Sequence, residues 1–268
     1  MYTYRALEGV NLPQLAQCLN LAFSDYEQPI SFTPESLQYY LTASAVDLSL
    51  SFGAFCGEEL VAVILNSGGV YKNENVVFDA GTGVIPDHRG KKVFSALFDY
   101  TCARLQSRGI AKYYLEALQS NHHAVSIYSK KGFCVSREYS VLVASGAGEG
   151  SDRVAVAPYL EFLAFETRYS VAPSFEHTAH TIGRNPRLYE VRYLQDKAYC
   201  IYAKRHGAIV QLHYNDLEAL KEVVSALVAQ YPTLMAKNVD CGCEAVIQML
   251  LSLGFAEVTK QYEMVREI

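Results

Sequence analysis

Apolar positions along the chain follow two rhythms. Leu12, Leu15, Leu19 and Ala22 or Phe23 fall at helical spacing, and predict an amphipathic helix opened by Leu12-Pro13. Thr33-Pro34-Glu35-Ser36 predicts a second helix start, with Thr33 as cap and Pro34 at the first helical position. Tyr2–Leu7 is strand-like. Leu48–Cys56 and Leu60–Leu65 are apolar runs joined by Gly57-Glu58-Glu59, a hairpin pattern. Val76–Ile85 predicts another strand, interrupted by Gly81 and Gly83; glycine inside a strand marks a bulge or a close approach to the backbone. A helix over Val93–Leu105 ends at Arg108-Gly109, as the basic residue and glycine favour. Ile110–Leu118 then reads as a strand, Asn121–Lys131 as a short helix stopped by Gly132, and Cys134–Val143 as a last strand. Hairpin strands followed by strand, helix, strand, helix, strand predict a mixed α/β sheet.

The one glycine-dense stretch of small residues, Ala144 to Ser151, has the composition of a connector. It divides the chain into residues 1–145, a linker at 146–151, and residues 152–268. Two short matches recur in the same order across that division. Tyr128-Ser129-Lys130-Lys131-Gly132-Phe133 returns as Leu250-Leu251-Ser252-Leu253-Gly254-Phe255, and Ser95-Ala96-Leu97 returns as Ser225-Ala226-Leu227. The second part is therefore expected to repeat the later elements of the first.

Composition narrows the function classes. Half of the 268 residues are apolar and 19% are charged, which suits a packed globular core. The net charge of −5 is shared evenly between the two parts, so neither is basic enough to track a nucleic-acid backbone. The longest aliphatic run, Leu60–Leu65, is far below the roughly 20 residues of a membrane span, and the N-terminus lacks a signal-peptide layout. A cytoplasmic protein with no nucleic-acid or membrane partner is expected. The seven cysteines are scattered, and Cys241-Gly242-Cys243 has no second ligand pair, so neither a disulfide framework nor a metal site is expected.

Chemistry concentrates in Val84-Ile85-Pro86-Asp87-His88-Arg89-Gly90-Lys91-Lys92-Val93-Phe94. A strand ends, a glycine-bearing turn follows and a helix begins, which presents free N–H groups and the positive end of a helix dipole to an anion. Arg89, Lys91 and Lys92 add charge there. The same segment also fits Asp87 as an ordinary cap with the basic residues as a solvated rim. A second pattern, Asn121-x-x-Ala124-x-x-x-Tyr128-x-x-x-Gly132-Phe133, sets Asn121, Ala124, Tyr128 and Gly132 near one face of a short helix. A tyrosine so presented can donate its phenolic proton to a departing thiolate.

Together, the two patterns resemble the GNAT superfamily of acetyl-CoA-dependent N-acetyltransferases. The likeness is close over residues 2–143 and faint over 152–268. It implies a mixed, mostly antiparallel sheet flanked by helices, in two tandem copies. The family pattern Arg/Gln-x-x-Gly-x-Gly/Ala begins at Arg89, with Lys92 and Phe94 at the two glycine positions. The resemblance implies acetyl-CoA as co-substrate, held by Val84, Ile85, Arg89, Gly90, Lys91, Lys92, Val93, Phe94 and Asn121. It implies direct attack of a primary amine of a small molecule or peptide on the thioester, with the oxyanion held by N–H groups near Val84. Tyr128 would be the acid, and Asp79 and Glu116 are candidate bases. His122 and His123 lie beside Asn121, and Asp25 and Glu27 fall in the acceptor-side loop.

In the second copy, Leu250 takes the place of Tyr128, Cys243 that of Asn121, and Tyr214-Asn215-Asp216 that of the anion turn, with Asp216 as a helix cap. This resembles a degenerate domain without a cofactor site, used to shape an acceptor pocket or to form a homodimer. The alternative function is a non-catalytic acyl-CoA-binding or regulatory protein.

Overall fold

The structure, a computed structural model, describes residues 1–25, 31–146, 148–162, 170–205 and 207–268. Glu27 of the acceptor-side loop and Ala147 of the expected linker lie outside the described residues. The chain forms two compact units, residues 1–115 with 266–268, and residues 116–265.

Unit 1 contains β1 (Tyr2–Ala6), α1 (Leu12–Ala22), α2 (Pro34–Ala43), β2 (Phe52–Cys56), β3 (Glu59–Tyr71), β4 (Glu74–Val84), α3 (Val93–Gln106) and the start of β5 (Lys112–Leu118). Its strands lie in the order β1-β2-β3-β4-β5. All pairs are antiparallel except β4 with β5. Asn11 caps α1 by accepting from the Gln14 N–H at 2.9 Å, and Pro13 sits in the first turn. Leu15, Ala16, Cys18, Leu19 and Ala22 form its buried stripe, as the spacing predicts. Thr33 and Ser36 close a reciprocal capping box at the start of α2.

β3 runs six residues beyond the predicted Leu65 and turns back through Lys72-Asn73, both at positive φ. At its centre Asn66 is fully buried with every polar group partnered. Its N–H donates to Ser51 Oγ, its C=O accepts from the Asp47 N–H, its Nδ2 donates to the Leu50 carbonyl, and its Oδ1 accepts from the Tyr113 hydroxyl. This satisfaction explains how an asparagine sits in the core.

Unit 2 contains the rest of β5, α4 (His122–Lys130), β6 (Cys134–Ala144), β7 (Ala155–Pro158), α5 (Tyr159–Phe162), α6 (Ala179–Ile182), β8 (Tyr189–Leu194), β9 (Ala198–Ala203), β10 (Ala208–Tyr214), α7 (Leu217–Val228), β11 (Leu234–Asp240), α8 (Glu244–Ser252) and β12 (Phe255–Glu267), whose last residues return to unit 1. The strand order is β12-β6-β11-β10-β9-β8-β7, antiparallel except for β10 with β11. Leu212, Leu220, Val224, Leu227, Leu234 and Leu250 belong to its main core cluster. The segment expected as a linker packs along α7: the Glu149 N–H donates to Ser225 Oγ at 3.2 Å, and Ser151 Oγ donates to Glu222 at 2.5 Å.

The succession β4-α3-β5-α4-β6 recurs as β10-α7-β11-α8-β12, with the first two strands parallel in each case. The repeated Gly-Phe steps share a conformation, with Gly132 at φ 87° after α4 and Gly254 at φ 84° after α8. Only glycine adopts that left-handed state without a Cβ penalty, which is why it recurs at both helix ends.

Candidate functional site

In unit 1 the site begins at a break in β4. Parallel pairing with β5 runs from Val76↔Lys112 to Asp79↔Leu115 and no further. On the other side, β4 pairs with β3 as Asn66↔Asp79 and then Leu65↔Gly81, so Ala80 is an inserted residue. Asp79 accepts from the Gly81 N–H at 2.9 Å and from Thr82 Oγ1 at 2.7 Å. The Tyr40 hydroxyl, from α2, donates to the Ala80 carbonyl. Gly83 is needed for a different reason: a Cβ there would lie 2.8 Å from the Ala22 Cβ, so the end of α1 packs on bare backbone.

Beyond the bulge the strand alternates in a defined sense. The Ile85 N–H donates to the Val61 carbonyl at 3.0 Å, so the Val84 N–H, one residue earlier, points away from β3. The Val84 carbonyl also points away, and accepts from Arg89 Nε at 3.0 Å. Ile85, expected to help hold acetyl-CoA, has both backbone groups engaged within the protein. Its N–H is taken by Val61 and its carbonyl accepts from the His88 N–H at 2.9 Å. Val84 alone of the two keeps a backbone donor facing outward.

Residues 86–88 form one tight turn, steadied by a 2.8 Å bond between the Tyr2 hydroxyl and His88 Nδ1. Gly90 and Lys92 are then both left-handed, at φ 71° and 60°, before α3 starts at Val93. Alternating handedness aims successive N–H groups into one concavity, an arrangement suited to anions. Among the described residues, nothing accepts from the N–H groups of Gly90, Lys91, Lys92 or Val93. Asp87 does not cap α3; Lys92 is the cap residue, and it makes no side-chain cap bond. Lys91 and Lys92 are exposed, with no carboxylate partner among the described residues. These donors fit a phosphate-bearing ligand. The family's first glycine position is thus one that requires φ > 0, and Lys92 meets the requirement with strain. Phe94 is half-buried, its ring 5.8 Å from that of Phe98.

Arg89, expected to help hold acetyl-CoA, directs its guanidinium at Asp25 and the end of α1. Its guanidinium holds both Asp25 oxygens, at 2.5 and 3.0 Å, and the Ala22 carbonyl at 2.8 Å. The hydrogen bond from Arg89 keeps the Asp25 carboxyl below the usual range. Arg89 ties the turn to the end of α1.

In unit 2, Asn121 caps α4 by accepting from the Ala124 N–H at 3.0 Å, and His122 and His123 are exposed in its first turn. Tyr128 is half-buried on the same helix, edge-on to Phe133 at 5.6 Å. Glu116 accepts from Asn238 Nδ2 at 2.6 Å, while its other oxygen is enclosed with no hydrogen-bond partner. Burial, then the charge of Glu176, push its carboxyl up to about 8 against the opposing pull of Lys237 and Asn238. Burial pushes Glu176 up, but the charge and 3.0 Å hydrogen bond of Lys237, together with the charge of His177, hold it low. The sequence reading missed this group. Its one signal was Lys237-Asn238 in an otherwise apolar strand, where Asn238 takes φ 56° at a register shift.

The second copy's counterparts differ. Asp216 caps α7 with its own carboxylate, accepting from the Glu218 and Ala219 N–H groups at 3.1 and 3.4 Å, so that helix start already holds an anion. Leu250 is fully buried, and Cys243 caps α8 without a side-chain bond. An open cleft of about 760 Å³ runs beside α7; of its three cations, Arg153 and Lys197 already face Glu222 and Asp216 at 3.3 and 4.0 Å.

Residues 15–133 match the sequence model of the acetyltransferase (GNAT) family. Over that span the chain is similar to GNAT acetyltransferases. The matched span contains every expected site residue. No curated protein matches the sequence. The GNAT fold extends over the whole chain. A GCN5-related N-acetyltransferase from Sphaerobacter thermophilus aligns with a TM-score of 0.68 at 13% identity, over 99% of this chain and 95% of that one. A putative acetyltransferase from Pyrococcus horikoshii gives 0.69 at 11% identity, over 100% and 89%. A tandem GNAT protein from the clavulanic acid biosynthesis pathway gives 0.66 at 10% identity, over 100% and 98%. At these identities the likeness is one of fold. Among the described residues, no helix is long and apolar enough to cross a membrane, and no group of three His, Cys, Asp or Glu could hold a metal ion.

Proposed function

We propose that the protein is an acetyl-CoA-dependent N-acetyltransferase that acts on a primary amine of a small molecule or peptide by direct attack. The observation that carries this reading is the run of unaccepted N–H groups at Gly90, Lys91, Lys92 and Val93, following a strand whose Val84 N–H faces outward. Acetyl-CoA supplies the acetyl group as a thioester. The turn donates to its diphosphate, with Lys91 and Lys92 adding charge. The Val84 N–H holds the negative charge that develops on the carbonyl oxygen as the acceptor nitrogen adds. As the C–S bond breaks, Tyr128 gives its phenolic proton to the sulfur. Glu116 is the base in this account: an oxygen without a partner and a carboxyl raised to about 8 suit proton removal near neutral pH. Arg89 and Asn121 support the ligand indirectly, by fixing the turn and the start of α4. The second copy, residues 152–268 by sequence, binds no cofactor and serves the acceptor side or a homodimer.

A thiol-release screen against polyamines, aminoglycosides, amino acids and peptide N-termini tests the proposal. At least one class is expected to give sustained release, lowered at least about tenfold by Tyr128→Phe and losing its pH limb near 8 in Glu116→Gln. Acetyl-CoA binding without release on any acceptor would instead make this a non-catalytic acyl-CoA-binding protein.

A further inference from the structure

We propose that Tyr40 and Asp79 are positioning residues: they hold the one-residue bulge of β4 at Ala80, and the bulge turns the Val84 N–H outward to meet the thioester oxygen. The inference rests on the transferase reading and reassigns Asp79 from base to support.

The argument is one of register. With Ala80 inserted, Ala62 pairs with Val84, and Val61 stands opposite Ile85 and accepts from its N–H. Without the insertion, every residue after Asp79 would move one place along β3. Val84 would then stand opposite Val61 and give its N–H to β3, because hydrogen-bonding direction alternates along a strand. A one-residue change therefore decides whether the catalytic donor exists. A bulge leaves its extra residue out of the ladder, so its backbone groups need other partners.

For the Ala80 carbonyl that partner is a side chain, and a second side chain holds the residues that follow. Tyr40 donates to the Ala80 carbonyl, and its ring lies 5.3 Å from Phe32. Both Asp79 oxygens accept from the next turn of backbone and side chain, at the Gly81 N–H and Thr82 Oγ1. Opposite, the saturated bonding of Asn66 fixes the β3 side of the break. The carboxylate of Asp79 thus has bonds to make inside the strand, and those bonds keep the strand in the register the donor needs.

The test combines kinetics of the full chain, by thiol release with the acceptor found in the screen, with amide hydrogen exchange at residues 81–84 in the absence of ligand. Tyr40→Phe and Asp79→Ala are expected to lower kcat by at least about tenfold, since small displacements of a catalytic donor cost that much. The KM for acetyl-CoA should stay within about threefold, because diphosphate binding at residues 90–93 is a separate contribution. Both variants should speed exchange at 81–84. Asp79→Asn keeps an acceptor for Gly81 and a partner for Thr82, so it should recover at least about tenfold over Asp79→Ala, with the wild-type pH midpoint. A Tyr40→Phe protein with wild-type kcat would overturn the inference, and so would an Asp79→Asn protein as inactive as Asp79→Ala, which would mark the carboxylate as a base. If the wild-type protein acetylates no amine, the transferase reading fails on its own; unchanged exchange at 81–84 in Tyr40→Phe would then separately overturn the bulge-holding role.

Discussion

Arg89 and Asp25 face each other as a two-bonded pair, with both carboxylate oxygens on the guanidinium. Arg89 also holds the Ala22 and Val84 carbonyls, so one side chain joins the end of α1, the end of β4 and the anion turn. Asp25 touches no residue of the turn other than Arg89 among the described contacts. Asp25→Ala is therefore expected to raise the KM for acetyl-CoA severalfold with little change in kcat. Arg89→Lys should do the same, since lysine lacks the planar fork. If Arg89→Ala raised KM while Asp25→Ala did not, Arg89 would bind the ligand directly.

Lys92 sits left-handed at the start of α3, where glycine would be unstrained. Replacing it by glycine removes a conformational cost of about 1–2 kcal/mol, offset by about 0.5–1 kcal/mol of added chain entropy in the unfolded state. Lys92→Gly should raise the melting temperature by ~2 °C. The same variant removes one cation from the turn, so acetyl-CoA affinity should fall and depend less on salt. A lower melting temperature would contradict the strain account.

The buried groups of unit 2 make stability depend on pH in two opposite senses. Glu116 is raised from 4.5 to about 8, so its contribution is full below pH 4.5 and is lost as pH rises toward 8. Burial, then Lys237, lower His177 from 6.5 to about 3, so its contribution is full above 6.5 and is lost as pH falls toward 3. Between pH 4.5 and 6.5 the two slopes oppose. Glu263, held low against its burial by Arg137, Tyr139 and Ser136, adds to the loss on the acid side, as does Glu176. Thermal melts of Glu116→Gln should lose the decline between pH 6.5 and 8, and those of His177→Asn should show a weaker decline below 4.5. An unchanged alkaline decline in Glu116→Gln would place its cause elsewhere.

The anion turn was readable in the sequence because its glycine, lysines and helix start are contiguous from Arg89 to Val93. Its orientation was not. That Arg89 turns to Asp25, 64 residues away, follows from how α1 ends against β4. The length of β3 was missed because Asn66-Ser67-Gly68-Gly69 are poor strand formers, and pairing with Val76, Val77 and Phe78 overrides their preference. Glycine at 81 and 83 signalled irregularity in β4, yet the inserted residue is Ala80, fixed by Tyr40 from another helix. Glu116 was singled out as a carboxylate on a strand, but Glu176, whose charge raises it, and Asn238, whose hydrogen bond opposes the rise, lie 60 and 122 residues further on. Local chemistry is written locally; the environment that tunes it is supplied by pairing across the fold.

The account's central claim is that acetyl-CoA binds the turn of unit 1 and the strand before it, and leaves the capped helix start at Asp216 untouched. Amide hydrogen exchange of the full chain, with and without acetyl-CoA, measures this directly. Slowed exchange at Val84 and at Gly90–Val93, with none at Leu217–Ala219, is the expected result. Protection at the start of α7, or none at residues 90–93, would contradict it.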